Sequence, residues 1–109
     1  DKWGAVSLNT SNGYIHDVKG MASDRAAQKA ALRQCINDGG NKKSCTILYA
    51  YANGCVAVAG ATLQGETKTS FADGGETRAA AEQAAMAKCE KAGRTDCRIV
   101  MPAQCSLPD

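Results

Sequence analysis

Along the chain, apolar positions switch twice between a strand-like and a helix-like period. "WGAVSLN" at residues 3–9 alternates as a strand does, and "TSNG" then supplies an Asn-Gly tight turn into "YIHDVKG" at 14–20, predicting a hairpin. After Gly20 the period lengthens: Ala26, Ala27, Ala30, Ala31 and Cys35 recur at helical spacing, Ser23 stands at the N-cap, and Gly39 and Gly40 stop the run. The β-branched and aromatic "CTILYAY" at 45–51 reads as a strand. Asn53-Gly54 turns the chain into "CVAVAGATL" at 55–63, and the polar "ETKTSFADGG" at 66–75 pairs with it. Thr77 caps a second helix striped by Ala80, Ala81, Ala84, Ala85 and Cys89, and Gly93 ends it. The last strand is "CRIVM" at 97–101, with Pro102 limiting how far it continues in the middle of a sheet.

The two passes match. "DRAAQKAALRQC" is answered by "RAAAEQAAMAKC", and Cys35 falls on Cys89, Cys45 on Cys97 and Cys55 on Cys105. Two copies are too few for a solenoid. The prediction is an α+β fold: a single disulfide-stapled domain over 1–109, made of two duplicated strand-strand-helix-strand units near 3–54 and 55–105. It has mainly antiparallel sheet and two helices. Alternation places Cys45, Ile47, Tyr49 and Tyr51 on one strand face and Cys97, Ile99 and Met101 on its equivalent, each facing a helix. Each helix-end cysteine then neighbours a strand-start cysteine, which pairs Cys35 with Cys45 and Cys89 with Cys97. Cys55 and Cys105 are left as a symmetry-related pair joining the halves. In the chain-entropy view each short closure contributes on the order of 2 to 3 kcal/mol and the long one roughly 4.

Composition explains why staples are needed. The 109 residues hold one Trp, one Phe and three Tyr, and much of the apolar 44% is alanine, which buries little area per side chain. Six cysteines supply the missing cohesion and point to an oxidising compartment, periplasmic or secreted. The opening Asp1, in place of Met, agrees with a mature chain from which a signal peptide has been removed. No apolar run reaches the length of a membrane span. The net charge of +2 and the scarcity of aromatics among basic residues argue against a nucleic-acid partner.

Candidate chemistry is sparse. His16 is the one histidine, and strand alternation points it away from neighbouring Asp17, so the two form no dyad and His16 reads as an exposed strand residue. No nucleophile-elbow pattern accompanies it. Every cysteine has a duplicate and a partner, which leaves no reactive thiol, and the successive separations of 10, 10, 34, 8 and 8 contain no metal clip. "ADGGET" lacks the Lys-Ser or Lys-Thr of a phosphate loop. Asn9-Thr10-Ser11 matches a glycosylation sequon, meaningful only in a eukaryotic secretory pathway. Trp3, Tyr14, Tyr49 and Tyr51 are anchors if exposed and core if buried, and the shortage of large residues favours core. No catalytic residue, metal or cofactor is assigned.

The opening "WGAVSLNTSNG", the helix cysteines Cys35 and Cys89, the strand cysteines Cys45 and Cys97 and the intervening "GCVAVAG" resemble the domain of unknown function 4189 family, over Trp3 to Cys105. The resemblance implies a small exported bacterial protein and carries over no catalytic residue. The expected function is a non-enzymatic protein-binding module, an inhibitor or immunity protein that blocks a toxin or cell-wall enzyme. The alternatives are a secreted effector that binds a host or competitor component, and a small hydrolase using His16. Partner contacts are expected where the halves differ, at Tyr14, His16, Asp17 and Lys19 and at Lys68 and Phe71.

Overall fold

The computed structural model describes residues 2–63 and 67–106 and is of the α+β class. Its described residues divide into two compact units, 2–53 with Ser106, and 54–105. The first unit runs β1 (Trp3–Asn9), β2 (Ile15–Met21), α1 (Asp24–Asn37) and β3 (Cys45–Ala52), with antiparallel strand order β2-β1-β3. The second repeats the pattern: β4 (Cys55–Leu63), β5 (Thr67–Gly75), α2 (Arg78–Lys91) and β6 (Arg98–Cys105), in antiparallel order β5-β4-β6. The sheet structure is therefore two three-stranded sheets, one to each unit.

Both helices begin in the same way. Ser23 Oγ accepts the Ala26 N–H and Thr77 Oγ1 accepts the Ala80 N–H, each at 3.1 Å, which satisfies a donor that the first helical turn leaves open. Both stop at a glycine in the left-handed region, Gly39 (φ 102°) and Gly93 (φ 86°). Between those signals the fully buried positions are all small residues. Ala27, Ala31 and Cys35 of α1, and Ala81, Ala85 and Cys89 of α2, are completely buried.

The sheets meet them with equally small groups. Ala57, Ala59 and Ala61 of β4 pack with Cys55 beneath α2, flanked by Phe71, Met86 and Ile99. Ala5 and Val18 pack beneath α1 with Trp3, Met21 and Ile47 at the margin. Contact this close brings backbone into range of side chains, and Ser7 of β1 donates its hydroxyl to the Ala31 carbonyl at 2.9 Å.

Strand bulges redirect several residues from the face expected of simple alternation. In β3, Ile47 pairs with Ser7 and Tyr49 with Val6, so Leu48 is an extra residue. Cys45 and Ile47 face α1, whereas Tyr49 and Tyr51 turn to the far face with Val6 and Gly4. In β6 a shift between Val58 and Ala59 likewise separates Met101 from Ile99. A further difference is that β6 passes through Pro102 to Cys105. An edge strand tolerates a proline, and a second shift, between Val56 and Val58, accommodates this one. The Ala103 backbone displaced there is taken up by α2: Arg78 Nη1 donates to its carbonyl at 2.7 Å, and its N–H donates to Glu82 Oε2 at 3.0 Å. On the opposite edge Lys88 Nζ donates to the Ala72 carbonyl at 2.9 Å.

The sulfurs bond as Cys35–Cys45, Cys89–Cys97 and Cys55–Cys105. The first two tie a helix end to the start of the next strand or the residue before it. Cys55–Cys105 does not join the halves, because both residues belong to the second unit, directly opposite each other on β4 and β6 with Cα atoms 3.9 Å apart. Their counterparts in the first unit are the opposed pair Trp3 and Ala52. Those strand ends are held by the Asn53 N–H to the Lys2 carbonyl and the Lys2 N–H to Asn53 Oδ1, both at 2.9 Å. The similar spacing of Cys55 and Cys105 hides the fact that one opens a repeat and the other closes it.

Replacing Glu82 with Ala leaves the buried Ala103 N–H without its acceptor and is expected to cost about 1–3 kcal/mol in urea unfolding. Gln83→Ala, one position along on the exposed side, should stay within about 0.5 kcal/mol.

Candidate functional site

The β1–β2 hairpin is fixed by short hydrogen bonds. Asn9 N–H donates to the Tyr14 carbonyl at 2.8 Å and Gly13 N–H to the Asn9 carbonyl at 2.7 Å. Asn9 Oδ1 accepts from the Ser11 N–H at 3.0 Å and the Ser11 hydroxyl at 2.6 Å, an Asx turn. Thr10 is anchored on the turn before β3, donating its N–H (2.8 Å) and its hydroxyl (3.0 Å) to the Ser44 carbonyl. At 2% exposure and with its amide oxygen engaged, Asn9 is a structural residue, and the folded chain presents no usable sequon.

On this hairpin Tyr14 is 59% exposed, where a core position was expected from the shortage of aromatics. Its N–H is held by Asn12 Oδ1 at 2.9 Å, so the ring projects from an ordered backbone. Trp3 borders the core and Tyr51 is buried.

The other residues expected at a partner surface take different positions within their own units. His16 points to the α1 side, opposite Ser7, and is half-buried, not exposed as the alternation argument implied. Its Nε2 is buried without a hydrogen-bond partner, and Asp38 Oδ2 at the α1 C-cap lies 3.3 Å away outside hydrogen-bonding geometry. Serine, histidine and carboxylate thus stand close together. Ser7, however, is completely buried and spends its proton on the Ala31 carbonyl, so it has neither access nor a free hydroxyl for attack. Lys19 is exposed on β2. Phe71 is partly buried and packs on the core beneath α2. The Lys68 side chain lies outside the described residues.

Asp17 faces away from α1 and accepts a 2.9 Å hydrogen bond from Tyr51 Oη. To reach it from β3 the tyrosine crosses β1 over Gly4, where an added Cβ would sit 2.6 Å from Tyr51 Oη. Glycine at 4 is therefore the condition for a contact linking all three strands. Burial pushes the Asp17 carboxyl above its ordinary 3.8, against the opposing pull of the Tyr51 hydrogen bond and the Lys19 charge. Burial and the neighbouring carboxylate push the Tyr51 phenol upward too, so it remains a neutral donor. The reach of Tyr51 to Asp17 and the nearness of Asp38 to His16 were not legible from sequence, although a glycine opposite a tyrosine is the kind of signal that finds such a crossing.

Among the described residues no three His, Cys, Asp or Glu converge on a possible metal position, and no helix is long and apolar enough to cross a membrane.

Because the folded state holds the Asp17 proton more tightly than the unfolded chain, Asp17 lowers stability as pH rises from 3.8 through its elevated folded value. Asp17→Asn keeps an acceptor for Tyr51 and removes the charge. Thermal unfolding should show the variant more stable than the parent at pH 7, with the advantage fading as the pH falls toward 3.8.

No curated protein and no solved structure matches the chain. A family model does match, over residues 3–105, so that the ββαβ repeat, both helix-end bridges and the Cys55–Cys105 closure all fall inside it. The chain belongs to the family described as Domain of unknown function (DUF4189).

Proposed function

We propose that this protein is an exported, non-enzymatic protein-binding module, an inhibitor or immunity protein that blocks a toxin or cell-wall enzyme in the periplasm. The observation that carries the reading is Tyr14: a large aromatic, 59% exposed, on a hairpin whose backbone is already fixed. Exposed aromatics at ordered positions are the residues that dominate binding energy at interfaces. A scaffold closed by three disulfides loses little further freedom on association, which removes part of the cost of binding. The same bonds favour an oxidising compartment. A hydrolase built on His16 is not favoured, since its neighbouring serine is sealed and hydrogen-bonded.

Chemical cross-linking in the periplasm followed by mass spectrometry tests this. The expected result is one stable protein partner of toxin or lytic-enzyme class, with capture reduced at least about tenfold by Tyr14→Ala. Equal capture by Tyr14→Ala, or no partner at all, overturns the reading; a host or competitor protein in place of a toxin selects the effector alternative.

A further inference from the structure

The duplication makes one helix a control for the other. α1 and α2 align residue for residue 54 positions apart, the buried Ala27, Ala31 and Cys35 falling on Ala81, Ala85 and Cys89. On the opposite side of α1, Arg25, Lys29 and Arg33 are all exposed. Their spacing of four makes a row about 12 Å long with cations about 6 Å apart. The equivalent positions of α2 are Ala79, Gln83 and Ala87, equally exposed and all uncharged. The same fold thus forms without charge at these positions. Nor are the cations used locally: among the described residues none of the three side chains has an ion pair or hydrogen bond.

Two more observations define the surface. Ile36, 40% exposed, follows Arg33 on the same side of the helix, where α2 has Glu90. The first unit, residues 1–53 with 106–109, carries seven Lys and Arg against five Asp, whereas residues 54–105 carry six of each sign, so the chain's excess of positive charge lies in the first unit.

We propose that the Arg25–Lys29–Arg33 row, with Ile36 at its end, docks an acidic face of a protein partner that presents carboxylates at a matching spacing of about 6 Å. This rests on the protein-binding reading above and gives the partner its chemistry. Arginine forks match carboxylates in two-pronged geometry, and an apolar anchor beside them is the composition of a protein interface. A membrane surface fits less well, because an interfacial helix must offer its apolar face to lipid and that of α1 is buried on its own sheet. A single-stranded nucleic acid would call for aromatic stacking residues along the row, and there are none.

The test uses the full chain and a defined probe. The probe is a labelled helical peptide with Glu at i, i+4 and i+8 and Leu at i+11, followed by fluorescence anisotropy in about 50 mM and about 150 mM salt. Arg25→Ala, Lys29→Gln and Arg33→Ala together install the α2 residues. Lys42→Gln, Lys43→Gln and Lys91→Gln together remove the same charge elsewhere on the surface. The expected result is a loss of peptide affinity of about tenfold or more in the first variant and less than about twofold in the second. Binding should fall with salt and be absent for a peptide with Gln in place of Glu. Equal losses in the two variants, no peptide binding, or tighter row-dependent binding to phosphatidylglycerol vesicles or single-stranded DNA would overturn the proposal. Tyr14-dependent capture of a protein partner is measured separately, so a failed row with successful capture removes this inference and leaves the protein-binding reading intact.

Discussion

Each helix in this protein rests on its sheet through methyl groups and sulfur, and the rest of the structure follows from that contact. Alanine against alanine permits a very close approach but removes little apolar area from water per residue. The deficit is met by bonds of other kinds. Disulfides fasten both helix ends, a buried serine reaches a helix carbonyl in the first unit, and Arg78, Glu82 and Lys88 reach down to edge strands in the second. Long side chains on α2 thereby hold backbone groups of both edges of the sheet beneath it. The mutual dependence is local: close packing brings the polar groups within reach, and their bonds in turn keep the packing close.

Much of this was legible in the sequence because helix periodicity, capping residues and glycine stops depend on neighbours within a few positions. Ser23, Thr77, Gly39 and Gly93 mark their helices by chemistry that needs no tertiary partner. Register defeated the reading where one inserted residue reverses everything after it, as Leu48 does for Tyr49 and Tyr51. Pro102 was read as a stop because the edge position of β6 is a property of the sheet, invisible along the strand itself. The crossing of Tyr51 over Gly4 to Asp17 likewise depends on three strands being placed side by side.

The functional residues divide along the same line. Tyr14 was marked as a partner residue by the difference between the halves even though composition argued for burying the aromatics, and the structure leaves it exposed. His16 had looked like an isolated polar residue, yet it lies beside a serine and a carboxylate that sequence separation had hidden. Proximity of those groups is not sufficient for catalysis, since burial decides whether a hydroxyl can meet a substrate. Charge is informative for the opposite reason. Summed over the chain it is only +2, and comparison of the two repeats shows where they differ: Arg25, Lys29 and Arg33 stand on α1 where α2 has Ala79, Gln83 and Ala87.

The placement of Cys55 and Cys105 at opposite ends of one repeat also bears on biosynthesis. Cysteines that oxidise in order of synthesis arrive as 35, 45, 55, 89, 97 and 105, and the first two are already native partners. Cys55 must then pass over Cys89 and Cys97, which belong to each other, and wait for the last cysteine of the chain. Pairing by arrival alone would join Cys55 to Cys89 and Cys97 to Cys105, neither of them a native bond. Pairing in order of synthesis is thus native in the first repeat, whereas in the second any bond formed that way must be undone by thiol–disulfide exchange, an uncatalysed process of minutes to hours.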